Sequence, residues 1–166
     1  TETEGKYYTL TTDIRLNDET ADNWADSLNS NEWVTLYNGD IRFKGTFNGG
    51  GHNISGLLYR ATAKHEGHHA GLFPVVGAGA LITNFSVSDS VMSVGWCGGA
   101  AAGYTELDSA ENFPKFSYID VRGTVNITGT VVGGVLGGGS FADFDNCCVT
   151  AELSGRDELA DTPYGT

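Results

Sequence analysis

Apolar residues in the second half of the chain recur two apart, in Phe85-x-Val87 and Ile119-x-Val121, which is the period of a strand with one face turned inward. No segment there sustains the i, i+3, i+4 stripe of an amphipathic helix. Three such segments align without gaps: Leu81 to Val91, Lys115 to Val125 and Asp143 to Leu153. Their apolar positions fall into shared columns, Ile82/Phe116/Phe144, Phe85/Ile119/Cys147, Val87/Val121/Val149 and Val91/Val125/Leu153. A Gly-rich lead precedes each one: Ala70-Gly71-Leu72-Phe73, Gly98-Gly99-Ala100-Ala101 and Gly133-Gly134-Val135-Leu136. The middle lead lies farther from its strand than the others do, so Thr105 to Pro114 reads as a surface loop inserted there.

Short strand units joined by glycine turns cannot bury a face alone, so they stack, and like residues of successive units form internal columns. The expected fold is all-β: a right-handed parallel β-helix, or solenoid, its hand following the usual hand of parallel crossovers. One domain is the default for 166 residues. Within it, residues 1–40 are read as an N-terminal capping segment, 41–155 as rungs, and 156–166 as a tail or the start of further rungs. In the N-terminal part, Tyr7 to Ile14 is strand-like, and Ala21 to Leu28 could form a short helix.

The run Phe43-Lys44-Gly45-Thr46-Phe47-Asn48-Gly49-Gly50-Gly51-His52-Asn53-Ile54-Ser55-Gly56-Leu57 is more specific. It resembles the first rung of the GLUG-type β-helical repeat proteins, F-x-G-x-F-[DN]-G-x-G-H-x-I-x-G-L, which G-L-F and G-G-x-x-G repeats follow. The likeness covers about residues 7 to 155. It implies a module of a bacterial surface protein, adhesin-like repeat or secreted enzyme, outside the cell and with no chemistry of its own. Two departures stand out: Pro74 occupies the place of a turn glycine after Gly71-Leu72-Phe73, and residues 59–69 look like an insertion.

Composition narrows the partners. Glycine supplies 24 residues, about twice the usual roughly 7%, while only 3 prolines argue against a disordered Pro/Gly tract. The net charge is −12, concentrated in residues 1–40 (nine acids, two bases) and 101–166 (ten acids, three bases). Such a chain is a poor ligand for nucleic acid or anionic membrane. No apolar run is long enough for a membrane span.

The candidate chemistry is sparse. His65-Glu66-Gly67-His68-His69 satisfies the H-E-x-x-H zinc pattern literally, but that motif works on a helix, and here Gly67 interrupts it between strand-like flanks. His65, His68 and His69 are therefore weak metal candidates, beside Asp143 and Asp145, whose oxygen-rich stretch with Asn146 is a weak calcium candidate. Asp13, Asp18, Glu19, Asp22 and Asp26 read as a charged cap surface, and Trp24, Trp33 and Trp96 as core or cap more than as sugar platforms. Cys147 should point inward and Cys148 outward, leaving a bond from Cys97 to either one as an alternative to free thiols.

No complete catalytic site is present in the sequence. The leading expectation is a non-enzymatic extracellular structural or adhesion module. Its insertions would present binding loops, with Lys64, His65 and Glu66 in one and Glu106, Asp108 and Glu111 in the other, to a host or cell-surface protein or glycan. The alternatives are an accessory or substrate-binding domain of a secreted carbohydrate-active or proteolytic enzyme, and a self-assembling filament subunit within some larger protein or assembly.

Overall fold

The alternating segments do fold as strands. A computed structural model describes residues 3–34, 41–61, 69–106, 112–151 and 153. In chain order the strands begin with β1 (Tyr7–Thr9), β2 (Ile14–Arg15), β3 (Thr46–Ser55), β4 (Leu58–Arg60) and β5 (His69–Ala70). β6 (Phe73–Gly77), β7 (Leu81–Ser93), β8 (Cys97–Gly99), β9 (Ala102–Glu106) and β10 (Lys115–Thr128) follow. The last are β11 (Val131–Gly133), β12 (Leu136–Gly139), β13 (Asp143–Asp145) and β14 (Cys148–Val149).

These form three sheets whose pairings are all parallel. The largest runs β1-β3-β7-β10-β13, with β2 beside β3, β4 beside β7 and β14 beside β10. The other two run β5-β8-β11 and β6-β9-β12. Three successive stretches of chain thus each visit the three sheets in the same order: β5, β6, β7, then β8, β9, β10, then β11, β12, β13–β14.

The register follows the apolar columns. Phe47, Ile82, Phe116 and Phe144 stand opposite one another, as do Ile54, Val87, Val121 and Val149. Ile54, Ile82, Val87, Phe116, Ile119 and Val121 are all fully buried. At roughly 1.5–3 kcal/mol for each large apolar side chain removed from water, these columns are the main source of stability.

One expected column fails. Val125 faces Ser90, not Val91, because the ladder slips between Arg122 and Val125. Gly123 lies there at φ 71°, a bulge that consumes one residue of β10. Ser90 is buried in the column, and its hydroxyl is satisfied: it accepts the Leu57 N–H (3.1 Å) and donates to the Ser88 carbonyl (2.8 Å).

Left-handed residues bend the long strands at two matched places. Asn84 (φ 62°), Tyr118 (φ 53°) and Asn146 (φ 51°) occupy one column, while Gly56 (φ 70°), Asp89 (φ 47°) and Gly123 mark the second. Asn146 therefore sits at a bend.

Three further expectations change. The short helix over Ala21 to Leu28 is a single 3₁₀ turn, Trp24–Asp26, because Asn23 before it is left-handed (φ 54°) and supplies no side-chain cap. The stretch 59–69 is not wholly an insertion: Tyr59 and Arg60 belong to β4, paired with Met92 and Ser93, and His69 opens β5. Likewise Thr105 and Glu106 close β9 and are not loop. Pro74 is tolerated because β6 is the edge strand of its sheet, where a residue without an N–H forfeits least. Within residues 1–40, β1 and β2 pair in parallel with β3.

Candidate binding face

The outward columns of the largest sheet collect polar residues across five parallel segments. Pairing of Ile14 with Ile54 and Arg15 with Ser55 extends one column to Arg15-Ser55-Ser88-Arg122 and the adjacent one to Asp13-Asn53-Ser86-Asp120-Cys148. Neighbouring strands lie about 4.8 Å apart, so each column offers one polar group per such step.

The groups are bonded to one another. Asp13 Oδ1 accepts the Asn53 backbone N–H (3.0 Å) and meets His52 Nδ1 (3.0 Å). The Asn53 side chain donates to Ser88 Oγ (3.0 Å) and accepts from Ser86 Oγ (2.8 Å). Arg122 donates to Ser86 (3.1 Å) and lies 3.5 Å from Asp120. At the edge strand, Ser55 donates to Glu19 (3.1 Å), which Arg15 also holds (2.7 Å). Exposed pairs such as Arg122–Asp120 are worth under about 1 kcal/mol, so the strip's value lies in arrangement more than in stability. The Asn53 N–H, followed by His52, holds the Asp13 carboxyl below the usual range.

An Asp–His pair beside three serines invites comparison with a hydrolytic triad. The bonding argues otherwise. Ser55 is committed to Glu19, and Ser86 and Ser88 to Asn53; among the described residues none bonds His52, so no hydroxyl is positioned to lose its proton to that ring. Ser55, Ser86 and Ser88 are moreover buried, so the face presents Asp13, Arg15, Arg122 and Cys148 to solvent, with Asn53 and Asp120 half-buried between them.

The residues singled out from sequence lie elsewhere. His69, last of the zinc-like pattern, is in strand β5 opposite Cys97, its ring stacked on Tyr104 (4.4 Å, 18°). A strand puts residues i and i+4 on one face but roughly 13 Å apart, too far to share one zinc ion. His65 and His68, with Lys64, Glu66, Asp108 and Glu111, lie outside the described residues. Glu106 is engaged by Arg42 through two bonds (2.7 and 2.9 Å). Asp143 and Asp145 are exposed on β13, and Asp145 accepts from the Asn146 side chain (2.9 Å). Among the described residues no group of three or more His, Cys, Asp or Glu stands close enough to share a metal ion.

Cys147 is partly buried against the core and Cys148 is exposed opposite Asp120, as their columns required. All three cysteines are free, and burial pushes the Cys97 thiol up to about 11. Among the described residues, no helix is long and apolar enough to cross a membrane. The role of Asp13 and Glu19 was not legible as more than surface charge; the available signal was the apolar spacing Leu10, Ile14, Leu16, which packs on the core and seats β2 on β3 between them. The chain matches no known protein-family model, no curated protein and no solved structure.

Proposed function

We propose that the chain is a right-handed parallel β-helix, akin to the GLUG-type repeats, serving outside the cell as a non-enzymatic structural and adhesive module. One observation carries this reading: inward columns that are apolar and buried alternate with outward columns that form a hydrogen-bonded polar strip across successive parallel strands. The exposed members of that strip, Asp13, Arg15 and Arg122, with the half-buried Asn53 and Asp120, are the polar groups that would meet a surface glycan or an extended chain. The Phe43 to Leu57 run supports the kinship and the location.

Small-angle scattering of the purified chain should give a rod-like profile, and a compact, near-spherical particle would sink the β-helix. Beads coated with the chain should adhere to cells or immobilised glycans, with Asn53→Ala and Arg122→Ala reducing adhesion. Absence of adhesion on every surface would sink the function.

Self-assembly is a second reading, favoured by the last described strands. Phe144 is 50% exposed and Val149 41%, whereas Phe116 and Val121 in the same columns are buried. Sedimentation across a concentration series separates the readings: growth of long species supports a filament, and an unchanging monomer removes it.

A further inference from the structure

Beside the edge strand β2, the turns of residues 15–31 enclose an open cavity of about 510 Å³. That volume falls within the roughly 300–1,000 Å³ typical of small-ligand sites. Its polar residues divide into two sets. The first builds the walls: the buried Asn17 side chain donates to the Asn31 and Gly56 carbonyls (2.8 Å each) and accepts the Asn31 N–H (2.7 Å). Ser30 bonds the Trp24 carbonyl, and Arg15 ties Glu19 and Asp18 together. From outside, Arg60 clamps the same turns through the Ala25 (3.0 Å) and Ser27 (3.2 Å) carbonyls and Glu32 (2.7 Å).

The second set lines the cavity without a protein partner. The Asp22 carboxylate, the Asn29 side-chain amide and the Trp24 indole N–H make no hydrogen bond to another described residue. A half-buried tryptophan beside an uncommitted carboxylate and an uncommitted amide offers a flat apolar face together with acceptors and donors. Pyranose rings need those surfaces: their C–H faces stack on aromatic rings, and their vicinal hydroxyls both give and accept hydrogen bonds. The backbone of these turns is already tied down, so the ordering left to oppose binding is that of the Asp22 and Asn29 side chains. Charge selects among sugars. Asp18 and Asp22 line the cavity, whereas its one cation, Arg15, is held by Asp18 and Glu19.

We propose that this cavity is a binding site for neutral saccharides, with Trp24 as stacking platform and Asp22 and Asn29 as hydroxyl partners, and that it rejects uronic acids. The site deepens the adhesive reading by naming a ligand class, and it stands on the cavity whether or not the chain adheres to cells.

The test is saturation-transfer NMR with cellobiose, maltose, lactose and diacetylchitobiose at millimolar concentration, and digalacturonate as the acidic counterpart. At least one neutral disaccharide should bind, about tenfold or more weakly in Trp24→Ala and more weakly in Asp22→Asn, and unchanged in Trp96→Ala. Should Trp24→Ala lose its native circular dichroism, Trp24→Phe and Asp22→Asn decide. Silence from all four neutral sugars, binding that survives Trp24→Ala in a folded protein, or equal binding of digalacturonate would overturn the proposal. Free-sugar binding without bead adhesion would overturn the adhesive function and leave the site standing; the reverse result would do the opposite.

Discussion

Replacing Gly99 by alanine tests the packing where β8 turns toward β9. Gly99 stands in one column with Gly71 and Gly133, where successive segments pass close together. A Cβ on Gly99 would lie 2.4 Å from the Ala102 carbonyl oxygen, 2.6 Å from Gly137 N and 2.8 Å from the Leu136 carbonyl carbon. Every one of these atoms is backbone, so no rotamer change relieves the clash and neighbouring segments must separate. Overpacking of this kind costs about 1–3 kcal/mol. Separation also strains the flanking bonds from Ala100 N to Gly134 O (2.9 Å) and Leu72 N to Ala100 O (3.1 Å), each worth about 1 kcal/mol. Lower unfolded-state entropy returns about 0.4–1 kcal/mol. The net expectation is a loss of about 2–4 kcal/mol, or roughly 5–15 °C in Tm. Gly138→Ala is the matched control, since its Cβ would meet only side chains, Cys97 Sγ at 3.2 Å, Val131 at 3.7 Å and Tyr104 at 3.8 Å. Urea unfolding followed by circular dichroism measures both. If Gly99→Ala unfolds within about 0.5 kcal/mol of wild type and of Gly138→Ala, the close approach is wrong.

Tyr118 is exposed and left-handed in a column whose other members are asparagine, so Tyr118→Asn should raise stability by about 0.5–1 kcal/mol in the same assay; a loss would refute the strained bend. Thiol labelling in native buffer should modify Cys148 at once and Cys97 only on unfolding, because Cys97 is buried and its thiolate disfavoured; equal rates would contradict that burial. Asp13 has a depressed folded pKa, so its contribution is complete above the ordinary value of 3.8 and disappears as pH falls through the folded one. Asp13→Asn should therefore be less stable than wild type at neutral pH and converge with it in acid, as pH-dependent thermal melts would reveal; parallel curves would exclude the linkage.

The strands that could be read in advance are those whose inward residues must repeat. Phe85, Ile119 and Cys147, or Val87, Val121 and Val149, share an environment, and a slip of one residue would turn every side chain to the wrong face. The pattern ceases to inform where the backbone leaves β geometry. Gly123 adds a residue to β10 without any change in hydrophobicity, which is why Val125 fell into the wrong column. Tyr118 gives no local sign of a left-handed bend; only its alignment with Asn84 and Asn146 points there. The polar face was not singled out from the sequence. Ser86, Asp120, Ser88 and Arg122 came with the repeat, but Asp13 bonds Asn53 across forty residues of sequence, through a two-residue strand too short for any periodicity to announce.

The two ends of the largest sheet then acquire different physical character. At one end β1 and β2 cover β3, and the polar atoms there are engaged: Asp13 with His52 and Asn53, Arg15 with Glu19, Asn48 with Tyr7. At the other, among the described residues, the columns stay apolar to the last strand, where Phe144 stacks on Phe116 with one face open (5.3 Å, 16°). In a stack stabilised by nearest neighbours, each apolar residue gains from the strand above and the strand below. Phe116 has both Ile82 and Phe144, whereas Phe144 has Phe116 alone among the described residues. Burial therefore falls along the apolar columns toward β13, while at the β1–β2 end the polar groups hold one another, so the two proposed contacts, a sugar beside Trp24 and a second copy against β13, involve different strands.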